Sequence, residues 1–169
     1  MSQKDKTTTK AREASAKVPK KYGLAPEESI AFLMKGLSRE FARALERRLS
    51  AHNINIGMWD PLRILWTEDG QFQHELQKKV GVAQPTLVTA LDRLEKRGFI
   101  TRRRSEKDKR HVNIFLTAAG KNLEKEILHY ADEIQDIAEK NMTANEHSTL
   151  LKIFQKLHES LEEDLNQKG

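Results

Sequence analysis

The sequence predicts a mainly α-helical protein with a small β-hairpin wing. Three observations lead to this prediction. Apolar residues recur at three- and four-residue steps along most of the chain, Gly81-Val82 separates two short helical segments, and two strand-like segments flank the charged stretch 105–110. Two short helices joined by a glycine turn are typical of a helix-turn-helix, and a hairpin directly after them makes the motif winged.

Composition excludes several classes of protein. The chain has 169 residues, of which 33% are charged and 37% hydrophobic, which fits one domain with a buried core. There is no apolar run long enough to cross a membrane and no apolar signal core, so we expect a cytoplasmic protein with no membrane partner. Because there is no cysteine, disulfides, zinc–thiolate sites and cysteine nucleophiles are excluded.

The net charge of +5 is distributed unevenly. Residues 1–21 carry a net +5, and residues 71–116, with eleven Lys/Arg and five Asp/Glu, carry +6. Residues 22–70 carry −1 and residues 117–169 carry −5. A short basic segment beside an acidic scaffold indicates a module that binds a polyanion.

The N-terminal part divides into an arm and a helix. Residues 1–21 predict a basic disordered arm, although such an arm could also contact DNA phosphates or a neighbouring subunit. A single domain is predicted for residues 22–169. Its first helix should begin near Pro26 and end at about residue 52, with its apolar face formed by Ile30, Leu33, Leu37, Phe41, Leu45 and Leu49.

The winged core is predicted for residues 57–116. Helices are expected over 58–68 and 72–80, with Pro61 in the first turn of the former. A further helix over 84–97 should have Gln84 as its cap, Pro85 at its first position and Gly98 after its end. Strands are expected over 99–104 and 111–116.

Two long helices should close the chain. Thr117 can cap one of them, and the capping box from Thr143 to Glu146 opens the other. Their apolar stripes need a surface to cover them. We therefore expect residues 26–52 and 117–166 to supply dimerisation helices for an intertwined homodimer, with a monomeric bundle as the alternative.

The helix over 84–97 is the candidate recognition helix. With its leucines facing inward, its outward side chains would meet base edges and phosphates in the DNA major groove. Gln84 suits adenine, Thr86 and Thr89 suit a phosphate or a thymine methyl, and Arg93 suits guanine or a phosphate. The predicted helix contacts are Gln84, Pro85, Thr86, Val88, Thr89, Arg93 and Lys96.

The hairpin is the second candidate contact. It is rich in arginine and lysine, but successive strand residues point to opposite sides, so Arg102, Arg103 and Arg104 cannot all reach one surface. Lys109 and Arg110 at its tip suit the narrow minor groove, and we include Arg103 among the contacts. A solvated loop is the alternative interpretation.

The core also resembles a known family. The segments QPTLVTALDRLEKRGFI, Asp108-Lys109-Arg110 and LTAAG are similar to the DNA-binding core of the MarR (multiple antibiotic resistance regulator) family. The resemblance implies a homodimeric winged-helix repressor that binds a palindromic operator in double-stranded DNA. Lys109 stands where arginine is common, and lysine lacks the planar fork of arginine.

The resemblance further implies a small-molecule effector that releases the protein from DNA. Its cleft would lie between the dimerisation helices and the winged core, and MWDPLRILWTEDG resembles family members that regulate aromatic-acid catabolism. An aromatic carboxylate or its aryl-CoA thioester is the expected ligand, although the two tryptophans could equally be core residues. The candidate ligand contacts are His52, Met58, Trp59, Leu62, Arg63 and Trp66.

Other functions receive less support. The six histidines lack metal-binding spacing, and no nucleotide-binding or nucleophile motif occurs, so we expect no metal, no cofactor and no enzymatic activity. Two alternatives stay open. One is a non-specific architectural DNA-binding protein without ligand sensing, and the other is a protein–protein module that uses the acidic helices.

Overall fold

A computed structural model describes residues 25–104 and 111–167. The chain divides into two compact units, residues 1–39 and 40–169. In the first unit, a 3₁₀ turn at Pro26–Glu28 precedes α1 (Ile30–Leu49), which continues into the second unit. The predicted arm over 1–21 and the predicted wing-tip contacts Lys109 and Arg110 lie outside the described residues.

The second unit is mainly helical and carries a small sheet, as the sequence predicts. Its elements are α2 (Ile56–Thr67), β1 (Gln71–Phe72), α3 (Gln73–Val80), α4 (Gln84–Lys96), β2 (Ile100–Arg104), β3 (Val112–Leu116), α5 (Ala118–Ile127), α6 (His129–Glu139) and α7 (Ala144–Gln167). None of the helices in the described part of the chain is long and apolar enough to cross a membrane.

The sheet has three antiparallel strands in the order β1-β3-β2. β2 and β3 form the predicted hairpin, in which Ile100 lies opposite Leu116. β1 was not predicted, because two residues are too short to show alternation; its Gln71 pairs with Ile114 of β3. The extra strand ties the beginning of α3 to the wing, which we define as β2, β3 and the segment between them.

The core of the second unit joins the end of α1 to the winged segment. Its fully buried side chains include Leu49, Leu62, Leu65, Leu76, Leu87, Leu91, Leu94, Ile100, Ile114 and Ile127. In β3, Ile114 and Leu116 are buried, whereas Val112, Asn113 and Phe115 are half-buried. The leucines of α4 that were predicted to face inward, Leu87, Leu91 and Leu94, are all buried in this core.

The starts of α2 and α4 differ from the prediction. Asn55 caps α2 by accepting a hydrogen bond from the Met58 N–H, so this helix begins earlier and Pro61 lies inside it rather than in its first turn. Gln84 is not a cap. Ala83 is the N-cap, because its carbonyl accepts the first hydrogen bonds of α4 from the Thr86 and Leu87 N–H groups. Its side chain makes no capping bond.

The C-terminal helices confirm both predicted caps and correct one boundary. Thr117 accepts from the Gly120 N–H, and Thr143 and Glu146 bond reciprocally as a capping box. The single helix expected after Thr117 is divided at Leu128, where the ladder tightens locally and the Ala131 N–H donates to the Leu128 carbonyl. No sequence signal marks this division.

Gly120 is required by a close backbone approach. A Cβ atom at this position would lie 2.1 Å from the Phe99 carbonyl oxygen, whereas nothing lies within 4 Å of a Cβ at Gly36. We expect Gly120→Ala to lower the free energy of unfolding by about 1–3 kcal/mol. Gly36→Ala, the control at a helical position where a Cβ meets no described atom within 4 Å, should raise it by up to about 1 kcal/mol. Urea denaturation measures both, and equal effects would contradict the close approach.

Candidate nucleic-acid interface

α4 presents a buried and an exposed face. Leu87, Ala90, Leu91 and Leu94 face the core. Six of the seven predicted helix contacts are exposed, and Val88 is half-buried; the exposed residues are Gln84, Pro85, Thr86, Thr89, Arg93 and Lys96. The helix thus gathers the predicted reading residues on one surface.

The end of α4 is fixed by its backbone. Gly98 adopts a left-handed conformation (φ +75°), its N–H donates to the Glu95 carbonyl, and the Phe99 N–H donates to the Leu94 carbonyl. These two bonds form a Schellman motif, which stops the helix and turns the chain into β2. The stop signal predicted at Gly98 is confirmed.

A shallow cavity of about 390 Å³ runs along the exposed face. Thr86, Thr89 and Arg93 line it from α4, and Glu46, Asn55 and Gly57 line it from the opposite side. The Thr89 hydroxyl donates to the Pro85 carbonyl at 2.9 Å, which leaves its acceptor lone pairs available. Glu46 brings a negative charge and Arg93 a positive charge to this cavity.

Two histidines lie next to the beginning of α4. The rings of His74 and His111 are 5.2 Å apart between centroids, and both lie against Phe72. With Gln73, Gln77 and Gln84 they line a cavity of about 260 Å³. The sequence did not indicate this group because the two histidines are far apart along the chain. Among the described residues there is no group of three or more side chains suited to a metal ion.

Arg102 and Arg103, which follow each other in β2, face opposite ways, as the strand geometry requires. Arg102 turns toward α4: its Nη1 lies 2.6 Å from Asp92 Oδ1 and 3.2 Å from Glu95 Oε2, and its backbone N–H donates to Glu95 at 3.0 Å. Arg102 therefore joins the wing to α4 rather than extending the basic surface. The sequence did not indicate this role, because Arg102 lies seven residues from Glu95 and ten from Asp92 along the chain.

Arg103 faces the other way. Its side chain is exposed, and its guanidinium carbon lies 5.1 Å from the centre of the Phe115 ring. An exposed cation–π contact of this kind holds a side chain without neutralising its charge. Arg103 stays a candidate contact for a phosphate.

The predicted ligand residues of α2 are mostly core residues. Met58, Trp59 and Leu62 are at most 3% exposed. Trp59 meets Trp66 edge to face at 5.6 Å, and the Trp66 indole N–H donates to the Gly120 carbonyl at 2.9 Å. Trp59 therefore lies in the core, and Trp66 is half-buried and packs against it.

His52 and Arg63 lie in two other environments. His52 Nε2 is 3.4 Å from the Tyr130 hydroxyl, and Nδ1 is 3.8 Å from Glu126. Arg63 is exposed and lines a cavity of about 520 Å³ together with Asp60, Thr67, Glu68 and Lys79. The six predicted ligand residues are thus divided between the core and two separate surfaces, and their role stays a prediction.

Comparison with known sequences bears on this architecture. The sequence profile of the MarR family matches residues 54–112. The chain is 31% identical over 96 residues to the uncharacterised HTH-type transcriptional regulator YwhA of Bacillus subtilis, and covers 69% of that protein. The chain belongs to the MarR family. Its matched segment begins before α2 and ends at the start of β3, so it includes most of the winged core.

The chain spans less than two thirds of the length of two further relatives. The chain is 31% identical to the HTH-type regulator TtmR of Methylorubrum extorquens, over 57% of this chain and half of that protein. It is 33% identical to the organic hydroperoxide resistance regulator of B. subtilis, over 56% of this chain and 64% of that one. All three relatives are named as transcriptional regulators rather than as enzymes.

Solved MarR structures share the fold. A MarR regulator from Methanosarcina mazei superimposes with a TM-score of 0.72 at 25% identity, over 79% of this chain and 96% of that one. A mutant MarR from E. coli in complex with operator DNA gives 0.70 at 26% identity, over 76% and 92% of the two chains. The mainly helical winged-helix class is thereby confirmed.

Asp60 is the one carboxyl group of this MarR chain whose pKa is clearly raised within the described part. Burial raises the pKa of Asp60 above its usual value, and the positive charge of Arg63 opposes this shift only in part. The folded state therefore holds the Asp60 proton more tightly than the unfolded state does, and this stabilises the fold fully below pH 3.8, the usual pKa of the group. The stabilisation is lost as the pH rises through the pKa of Asp60 in the folded state.

Asp60→Asn should therefore be more stable than the unchanged chain near pH 7 and lose this advantage toward pH 3, since asparagine carries no charge to bury. Thermal unfolding at several pH values measures the difference. Glu159→Gln, at an exposed site, is the matched control and should show no such pH-dependent gain. A constant difference between the Asp60 variant and the unchanged chain would contradict the burial of a charged carboxylate.

Proposed function

We propose that this protein is a DNA-binding transcriptional regulator that acts as a homodimeric repressor on a palindromic operator. The observation that carries the proposal is the exposed face of α4, which presents amide, hydroxyl, guanidinium and ammonium groups while its leucines anchor it in the core. Those groups are the ones that read base edges and phosphates in the major groove.

The charge pattern supports the same partner. The +6 segment of residues 71–116 coincides with α3, α4 and the wing, whereas residues 117–169 are acidic. DNA would be attracted to the first segment and repelled by the second, because its phosphates are uniformly negative. Arg103, Lys109 and Arg110 then belong to the wing contacts, the last two in the minor groove.

The homodimer is supported by apolar faces that the described chain leaves uncovered. In α1, Ile30, Phe32, Leu33, Met34 and Leu37 are between 43% and 55% exposed. In α7 no residue is buried, and its exposed apolar side chains include Phe154, Leu161 and Leu165. Faces of this kind mark interaction surfaces, and a second copy can cover both kinds at once. We therefore propose that residues 26–52 and 117–166 supply the dimerisation helices and residues 57–116 the winged core.

The effector is proposed to be a small aromatic or anionic molecule, such as an aromatic carboxylate or its aryl-CoA thioester. Arg63 favours it, because an exposed guanidinium in a cavity of about 520 Å³ suits a carboxylate. The other proposed contacts do not line this cavity; they are His52, Met58, Trp59, Leu62 and Trp66. Binding would change the spacing of the two α4 helices, which must fit grooves about 34 Å apart.

The proposal that Arg93 reads a base while Lys96 contacts a phosphate can be tested with two variants on the exposed face of α4. Arg93→Ala should weaken binding to DNA selected by the unchanged chain by about 1–3 kcal/mol and relax preference at one base position, since arginine reads guanine with a fork. Lys96→Ala should weaken all sequences alike and reduce the salt slope by about 0.9. Fluorescence anisotropy over a salt series measures both.

Three results would contradict this proposal. Equal losses on selected and random DNA for both variants would remove the reading role of Arg93. An unchanged chain with no sequence preference, and no response to aromatic acids or their coenzyme A esters, would instead support the architectural DNA-binding protein. Absence of DNA binding at low salt would support the protein–protein module.

The α7 face can be tested by charge insertion. Phe154→Glu should shift the protein toward monomer, because a buried glutamate without a partner is strongly unfavourable in an interface. Lys152→Glu, at an exposed site on the same helix, is the control and should leave the dimer intact. Sedimentation equilibrium measures the association. A dimer in both variants, or a monomer in the unchanged chain, would contradict the proposed role of α7.

A further inference from the structure

Arg97 joins the end of α4 to a distant part of the chain. It is the C-cap of α4, and its guanidinium donates to two backbone carbonyls, from Nη2 to His52 at 2.9 Å and from Nη1 to Asn53. Its Cζ also lies 4.9 Å from the centre of the Phe99 ring. Both terminal nitrogens of the Arg97 guanidinium are therefore hydrogen-bonded.

The segment that accepts these bonds is itself fixed. Asn53 has a left-handed conformation (φ 54°), and its N–H donates to the Ser50 carbonyl at 2.9 Å, so the turn after α1 holds its two carbonyls in place. The following Ile54 is 2% exposed and anchors the turn in the core. Arg97 therefore bonds to a rigid partner rather than to a loop that follows it.

Residue 52 also faces the C-terminal helices. While its carbonyl accepts from Arg97, its imidazole lies 3.4 Å from the Tyr130 hydroxyl of α6 and 3.8 Å from Glu126 of α5. These two contacts lie on either side of Leu128, the residue that divides α5 from α6. His52 thus contacts Arg97 at the end of α4 through its backbone, and contacts α5 and α6 through its side chain.

We propose that Arg97 is a positioning residue that sets the orientation of α4 through His52 and Asn53, and that the His52 imidazole is where movements of α5 and α6 enter this connection. The inference rests on the proposed DNA-binding function. Arg97 acts through the helix it anchors, so it need not touch DNA. A shift at His52 would be passed directly to the end of α4, without passing through the core leucines.

An exposed arginine at the end of a recognition helix could instead contact a phosphate. The two roles differ in their dependence on salt. Losing a phosphate contact reduces the salt slope of binding by about 0.9, whereas misplacing the helix weakens binding with the slope unchanged. They also differ in coupling, because only a positioning role makes the effect of Arg97 depend on His52.

The experiment is a double-mutant cycle on full-length protein with DNA selected by the unchanged chain. Arg97→Ala is combined with His52→Phe, which keeps a ring but removes both nitrogens. Lys156→Ala, an exposed cation on α7, is the matched control, and Arg97→Lys retains the charge without the fork. Anisotropy titrations over a salt series give the affinities, and thermal unfolding identifies the temperature at which all variants are folded.

We expect Arg97→Ala to weaken binding roughly 3- to 30-fold with an unchanged salt slope. Arg97→Lys should recover only part of the loss, His52→Phe should weaken binding less, and the double variant should match Arg97→Ala alone. A slope reduced by about 0.9 would overturn the inference in favour of a phosphate contact. Additive losses, or no loss, would overturn it while leaving the DNA-binding function intact, and an unchanged chain that binds no DNA would overturn both.

Discussion

The burial of one leucine stripe decides what the rest of the molecule can do. Leu87, Leu91 and Leu94 of α4 are at most 1% exposed, and they lie in one cluster with Leu62 and Leu65 of α2. Each fully buried leucine contributes about 1.5–3 kcal/mol, so rotating α4 about its axis would forfeit a large part of the stability of the domain. The opposite face is thereby committed to solvent or to a partner, whatever its side chains are.

Polar contacts then refine this arrangement instead of creating it. Arg102 draws Asp92 and Glu95 toward the wing, so two carboxylates of α4 are compensated locally and do not oppose a negatively charged partner. Arg97 also holds the C-terminal end of the helix, by donating to the neutral backbone carbonyls of His52 and Asn53. Because Arg102 is paired with Asp92 and Glu95, β2 offers a negatively charged partner fewer arginines than its sequence contains.

The parts that the sequence predicted share one physical property, a local signal. The leucine period of α4, the turn at Gly98, the cap at Thr117 and the capping box at Thr143 depend on residues a few positions apart. The exposed α4 residues followed directly from the leucine period. Gln84 as a cap was wrong because the backbone around Ala83, rather than side-chain chemistry, determined where the first hydrogen bonds formed.

The parts that could not be predicted depend on distant pairs. β1 exists only because β3 lies beside it, and the Arg97, Arg102 and His74–His111 contacts join residues that no local pattern connects. The proposed effector residues of α2 could not be settled from the sequence either. Tryptophans at helical spacing give the same sequence pattern whether they line a cleft or face the core. Burial placed Trp59 in the core.

The central claim is that the start of the exposed α4 face meets the bases of DNA. Photo-crosslinking tests it most directly, with a photoreactive amino acid replacing Thr86 in one protein and Lys152 of α7 in another. With DNA selected by the unchanged chain, we expect crosslinks from position 86 that map to defined bases, and none from position 152. Crosslinks from position 152 alone, or from neither position while DNA is bound, would contradict the account.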